Sequence, residues 1–152
     1  MDLFNDNHNN QENLMQQYKL YVELVDRISQ RRALSNTFYL TLNVALLSFI
    51  ASFKDSVGMF YLWLVLVGGM LVSLVWFFTI KSYKQLNTAK FDVIHKIETK
   101  LPLNLFKYEW ERLEYGKSFN TYWPLTHIEK YVPLVFVALY FLFGIFYIVC
   151  GR

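Results

Sequence analysis

The sequence predicts an all-α integral membrane protein with three transmembrane helices and helical cytoplasmic extensions. Three observations predict it. The 152 residues are 55% hydrophobic and 19% aromatic but only 18% charged, more apolar and less charged than a soluble domain usually is. The charges are segregated: residues 1–32 and 81–130 hold most of them, and the runs 33–53, 56–80 and 131–151 hold none. Each run is also long enough for the roughly 20 residues a helix needs to cross the hydrocarbon core. A backbone in lipid must satisfy its own hydrogen bonds, so each run is expected to be helical.

Residues 1–35 are expected to form a cytoplasmic N-terminal helix. Leu14, Tyr18, Tyr21, Val25 and Ile28 recur at steps of four, three, four and three, the spacing of a coiled-coil seam, and Met15 and Val22 widen the stripe. Such a seam is too apolar for a lone exposed helix, so it is expected to pack against the 86–101 helix or a neighbouring subunit. Nothing breaks the helix before the first span, 36–53, so one helix from about Asn13 to Phe53 is predicted. The loop "KDSVG" turns the chain into the second span, 59–80. That span runs on through "KSYKQLNTAKFDVIHKIETKLP", with Leu86, Val93, Ile97 and Leu101 on one side and Pro102 as the stop. A shorter helix, "KYEWERLEYG", is predicted to stop at Gly116. The cytoplasmic helical region 81–130 then leads into the third span, 131–150. No repeat and no Gly/Ser linker interrupts the chain, so one compact unit is expected.

Orientation follows from lysine and arginine. Residues 1–32 carry four of them and 81–130 carry nine, against Lys54 in the first hairpin and Arg152 at the other end. The N-terminus and the 81–130 region are therefore expected in the cytoplasm. The formal net charge of +3 is juxtamembrane charge interleaved with acids, so direct nucleic-acid binding is not expected. The acidic, Asn-rich "MDLFNDNHNNQEN" does not read as a cleavable signal peptide. Cys150 has no intrachain partner and reads as a packing residue at the membrane edge, with a bridge between copies as the alternative.

The stretch "TYWPLTHIEKYVP", 121–133, is dense in anchoring residues. Thr126 and Glu129 have capping-box spacing ahead of an apolar run. Tyr122, Trp123 and Tyr131 suit the headgroup level, to which Lys130 can also snorkel. Together these six residues are expected to form a collar that sets where the third span meets the membrane.

Taken with "RISQRRALSNTFYLTLNVALLSFI", the segments "SYKQLNTAKFDVIHKIETKLP" and "YEWERLEYGKSFNTYWPLTHIEKYVPLVF" resemble the RipA-like octameric small membrane proteins of bacteria. The order Ser82-Tyr83, Leu86-Asn87, Lys90-Phe91, Ile94, Glu98, Leu101-Pro102, Glu109-Trp110, Thr126, Glu129 and Pro133 carries the resemblance. It implies small inner-membrane proteins assembled as rings of eight around an opening. It is also similar to the membrane accessory protein of type VI-B CRISPR systems, which forms a pore and strengthens antiphage defence. A ribonuclease motif discussed for those relatives needs an Arg four to six residues before a His. None of His8, His95 and His127 has one.

Six polar residues of the first span are the candidate site. Thr37, Thr41, Ser48 and Ser52 fall within a stripe about 60° wide at 100° per residue, and Asn36 and Asn43 form a second polar line. Polar side chains on a span face protein or water rather than lipid. The six are therefore expected either to let helices approach closely or to line an opening. Gly69 and Ser73 give a small-xxx-small step for close helix contact on the second span. Asp92, His95 and Glu98 spiral off one another, so a salt-linked helix face is expected there rather than a metal site. No Ser/His/Asp set, Gly-rich phosphate loop or Cys/His ligand spacing is present, so neither an enzyme nor a cofactor is expected. The expected partners are membrane lipid, further copies of the chain and, through the resemblance, a cytoplasmic defence protein. The leading expectation is a homo-oligomeric, pore-like protein of the bacterial inner membrane that perturbs the membrane in antiphage defence or stress. The alternative is a non-conducting scaffold that recruits a cytoplasmic partner through the 81–130 surface.

Overall fold

The computed structural model describes residues 3, 11–53, 56, 58–118, 120–122 and 124–150, with 126, 127 and 150 described by their backbone alone. The described residues are helical and contain no strand. In chain order the elements are α1 (Gln11–Phe53), α2 (Met59–Glu98), α3 (Leu105–Arg112), a short turn at Glu114–Gly116, α4 (Thr126–Glu129) and α5 (Val132–Cys150). Stretches of α1, α2 and α5 are long and apolar enough to cross a membrane. The continuous first helix and the continuation of the second span beyond the membrane segment are both present, as the periodicity predicts.

The single compact unit expected from the sequence is corrected. One unit comprises described residues of Met1–Gln30 and Gln85–Trp123, and the other those of Arg31–Lys84 and Pro124–Arg152. α1 and α2 each supply residues to both. The division therefore falls inside helices, where no linker composition marks it.

In the first unit, the polar unit, Val25 of the predicted seam is buried, as are Ile94 and Ile97 of α2. The Lys90 ammonium lies 4.7 Å from the centre of the Tyr21 ring, within cation–π range. Met15 and Leu86, read as parts of the packed stripes, are exposed. α2 ends at Glu98, short of Pro102, in turns closed by Lys100 N–H to Ile97 O at 2.9 Å and Leu101 N–H to Glu98 O at 3.0 Å. α3 stops at Arg112, short of Gly116. Glu114, Tyr115 and Gly116 follow with φ of 49°, 56° and 66°. Gly116 accepts this left-handed conformation freely, whereas each of the other two costs roughly 1 kcal/mol.

In the second unit, the spanning unit, the core is Ile50 of α1, Leu62, Leu66, Trp76 and Ile80 of α2, and Phe136 and Tyr140 of α5. Pro133 is buried in the first turn of α5, where its missing N–H leaves no intrahelical bond unmade. Much of the exterior is apolar too: Leu34, Phe60, Leu71, Phe78, Leu142 and Val149 are all exposed. An outside of this kind suits lipid and would be a large aggregation liability in water.

Candidate functional site in the spanning helices

The structure separates the six candidate residues of α1 into two sets. Thr37, Thr41, Ser48 and Ser52 are exposed, and so are Ala33, Val44, Ala45 and Ala51 beside them. Between Ala33 and Ser52 this face of α1 carries mostly small or hydroxyl side chains. The Thr37 hydroxyl donates to its own helix, to Ala33 O at 3.1 Å. Asn36 and Asn43 turn the other way. The Asn36 Oδ1 accepts from the Trp76 indole N–H at 3.0 Å. Asn43 is fully buried.

Asn43 is the centre of a polar knot that ties three helices together. Its Oδ1 accepts from the Ser73 hydroxyl of α2 at 2.8 Å and from the Tyr140 hydroxyl of α5 at 3.1 Å. Its Nδ2 donates to Tyr39 O at 2.9 Å. The Ser73 hydroxyl also lies 2.9 Å from Gly69 O, and the Tyr140 hydroxyl lies 3.3 Å from Asn43 O. Buried polar atoms cost free energy unless partnered, and here each side chain answers another. Gly69 sits under the Tyr140 ring: a Cβ there would be 2.5 Å from Cε1 and 2.8 Å from Cε2. The predicted small-residue step on α2 is thus a seat for an aromatic ring from α5. Tyr39 stacks on Trp76 at 5.9 Å between ring centres, which extends the packing toward Asn36.

The described collar residues fall in both units. Tyr122 belongs to the polar unit, where its ring meets Trp110 edge-on at 6.5 Å. Lys130 lies 4.8 Å from the Tyr131 ring centre, in the spanning unit with Glu129. Trp123 lies outside the described residues, as does the side chain of Thr126. The N-cap of α4 is Leu125, with Thr126 inside the helix, and α5 starts separately at Val132. Glu129 faces Arg32 of α1, with Oε2 3.7 Å from Nε. That is an ion pair too long for a hydrogen bond, and both atoms are buried without another partner.

In the polar unit Glu98 departs furthest from the sequence reading. The sequence predicts it on a salt-linked helix face, and it is fully buried. Its Oε1 accepts from Phe106 N–H at 2.8 Å and from the Tyr18 hydroxyl at 3.1 Å, and its Oε2 from Lys107 N–H at 3.1 Å. Phe106 and Lys107 are in the first turn of α3, whose N-cap residue Asn104 makes no side-chain cap. Glu98 satisfies those free amides from outside the helix, and its negative charge suits the positive end of the α3 dipole. Burial, then the hydrogen bond and the charge of Glu98, push the Tyr18 phenol up to about 12. Asp92 is exposed and His95 half-buried. Among the described residues no group of three potential metal ligands comes together.

Sequence reasoning did not single out Trp76 or Tyr140, or pair Arg32 with Glu129. A hydroxyl or indole N–H inside an apolar run is a visible sign that a partner exists, but it does not say which helix supplies it.

An apolar exterior, three spanning helices and a buried polar knot between them define a multi-span helical membrane protein. The chain belongs to the octameric membrane protein family (8xMP), which it matches over residues 15–149. No curated protein and no solved structure matches it.

Proposed function

We propose that eight copies surround an opening in a bacterial inner membrane, and that Thr37, Thr41, Ser48 and Ser52 line it. One observation carries this reading: these four hydroxyl residues stay exposed on α1, while both asparagines are used inside the protomer. Among the polar residues of the first span, this row is what remains to meet water. The protein acts without catalysis, and its cellular role is that of an antiphage-defence or stress effector that perturbs the membrane. Its resemblance to the CRISPR-associated accessory protein supports that role. An uncharged wall discriminates weakly between ions, and exposed Leu40 and Val44 are placed to close it by dewetting. The second reading is a non-conducting scaffold. It draws on the Thr37 hydroxyl, which is satisfied by Ala33 O and needs no water.

Val44→Ser is expected to wet the constriction and depolarise cells that express the protein. Thr41→Leu with Ser48→Leu is expected to reduce leakage while the octamer persists. Particle size and membrane potential are measured on both variants. Intact octamers with unchanged potential in both would remove α1 as the wall and leave the scaffold reading.

The positive-inside count supports an N-terminus and an 81–130 region in the cytoplasm. In a Cys150→Ser background, Ser56→Cys is expected to react with an impermeant thiol reagent in intact cells, and Ser118→Cys to stay unlabelled. The opposite pattern would invert the topology.

A further inference from the structure

We infer that the outer face of α1 around Leu20 and Leu24 receives α3 of the next copy in the assembly. The inference rests on the octameric family, not on conduction. Copies of one chain enter a membrane in a single orientation, so a symmetry axis relating them can only run along the membrane normal. Eight copies about such an axis form a closed ring, and every contact in a ring is heterologous: each protomer needs two different, complementary patches.

The polar unit carries two such patches. On α1, Leu20 is 61% exposed and Leu24 46%. At 100° per residue they lie about 200° and 240° around the helix from Tyr18. The Tyr18 hydroxyl meets Glu98, the carboxylate that holds the start of α3. Leu20 and Leu24 therefore face away from their own α3. The second patch is that helix and its approach, where Leu103 is 65%, Leu105 59% and Tyr108 65% exposed. α3 has no buried residue, and while Phe106 packs on Phe91, its own protomer leaves Leu105 and Tyr108 uncovered.

The charges are complementary. Arg27 lies on the Leu20–Leu24 side of α1. Its bond to Glu23 is an exposed pair within one helix, the kind worth little and readily exchanged. Glu109 follows Tyr108 on α3 and, among the described residues, has no ion pair in the protomer. Seating Leu105 and Tyr108 on Leu20 and Leu24 brings Glu109 to Arg27.

The test uses the full chain in its membrane, with Cys150→Ser throughout. Leu24→Cys and Tyr108→Cys are combined in one chain and treated with a short bis-maleimide. A ladder of covalent species reaching eight copies is expected. Each single variant alone is expected to remain uncoupled, and the two singles co-expressed should give dimers and nothing larger. Coupling of Leu24→Cys to itself would mean a two-fold contact and would overturn the inference. So would a double variant that couples only within one chain, or not at all, while particle mass still reports eight copies. Arg27→Glu is expected to lower the ladder several-fold, and adding Glu109→Arg to restore it. A ladder indifferent to both changes removes the charge pairing.

Discussion

Replacing Gly69 with alanine is expected to unseat α5 and destabilise the protein by about 3 kcal/mol, the upper end of the usual cost of overpacking a filled core. The added Cβ meets the flat of the Tyr140 ring. That ring cannot move aside without drawing its hydroxyl from Asn43, so the collision also threatens the polar knot. Gly68 is the control, because a Cβ there meets nothing within 4 Å. Gly68→Ala should be neutral or slightly stabilising, since alanine is the better helix former. Thermal unfolding of the detergent-solubilised assembly separates them: Gly69→Ala should melt well below the parent and Gly68→Ala with it. Equal melting for all three would mean that Tyr140 is not seated on Gly69.

The second large effect is expected at Glu98. Alanine there leaves two backbone amides and the Tyr18 hydroxyl without their carboxylate in a partly buried site. Three hydrogen bonds to one charged group are lost together, and such bonds contribute more than neutral ones, so a loss on the order of 3 kcal/mol is expected. It should be concentrated in α3, and the tryptic sites at Lys107 and Arg112 should be cut faster while the spanning helices stay protected. Unchanged cleavage would show that α3 is held by something else. Tyr18→Phe should cost less, about 1 kcal/mol, and it should alter the alkaline limb. The folded phenol titrates at about 12, above its unfolded value near 10. Its contribution is therefore complete below pH 10 and lost as pH rises toward 12. The phenylalanine variant should lack that part of the alkaline loss.

The spans were legible in the sequence because lipid imposes one rule on every residue of a run. The long first helix was legible because no proline or glycine interrupts it from Leu14 to Phe53. Which side of a span a polar residue faces was not. Asn36 and Thr37 are neighbours turned 100° apart, and one bonds Trp76 while the other is exposed. Only the positions of α2 and α5 decide between them. The end of α2 was misplaced for a similar reason. Pro102 is the local stop, but Glu98 is committed to amides eight and nine residues further on, a demand that no local pattern expresses. Nothing in "RLEYG" announces two left-handed residues ahead of its glycine.

The knot at Asn43 also bears on the order in which the protein is made. α1 is made before α2 and α5 and carries an amide that lipid cannot satisfy. Once α2 has followed, Ser73 can hold the Asn43 oxygen. The second donor, Tyr140, comes from α5, 97 residues after Asn43. A nascent chain with only two spans thus keeps a half-answered polar group at their interface, together with the open seat above Gly69. Arrival of α5 fills both at once. Insertion of α5 thus completes the hydrogen bonding of α1.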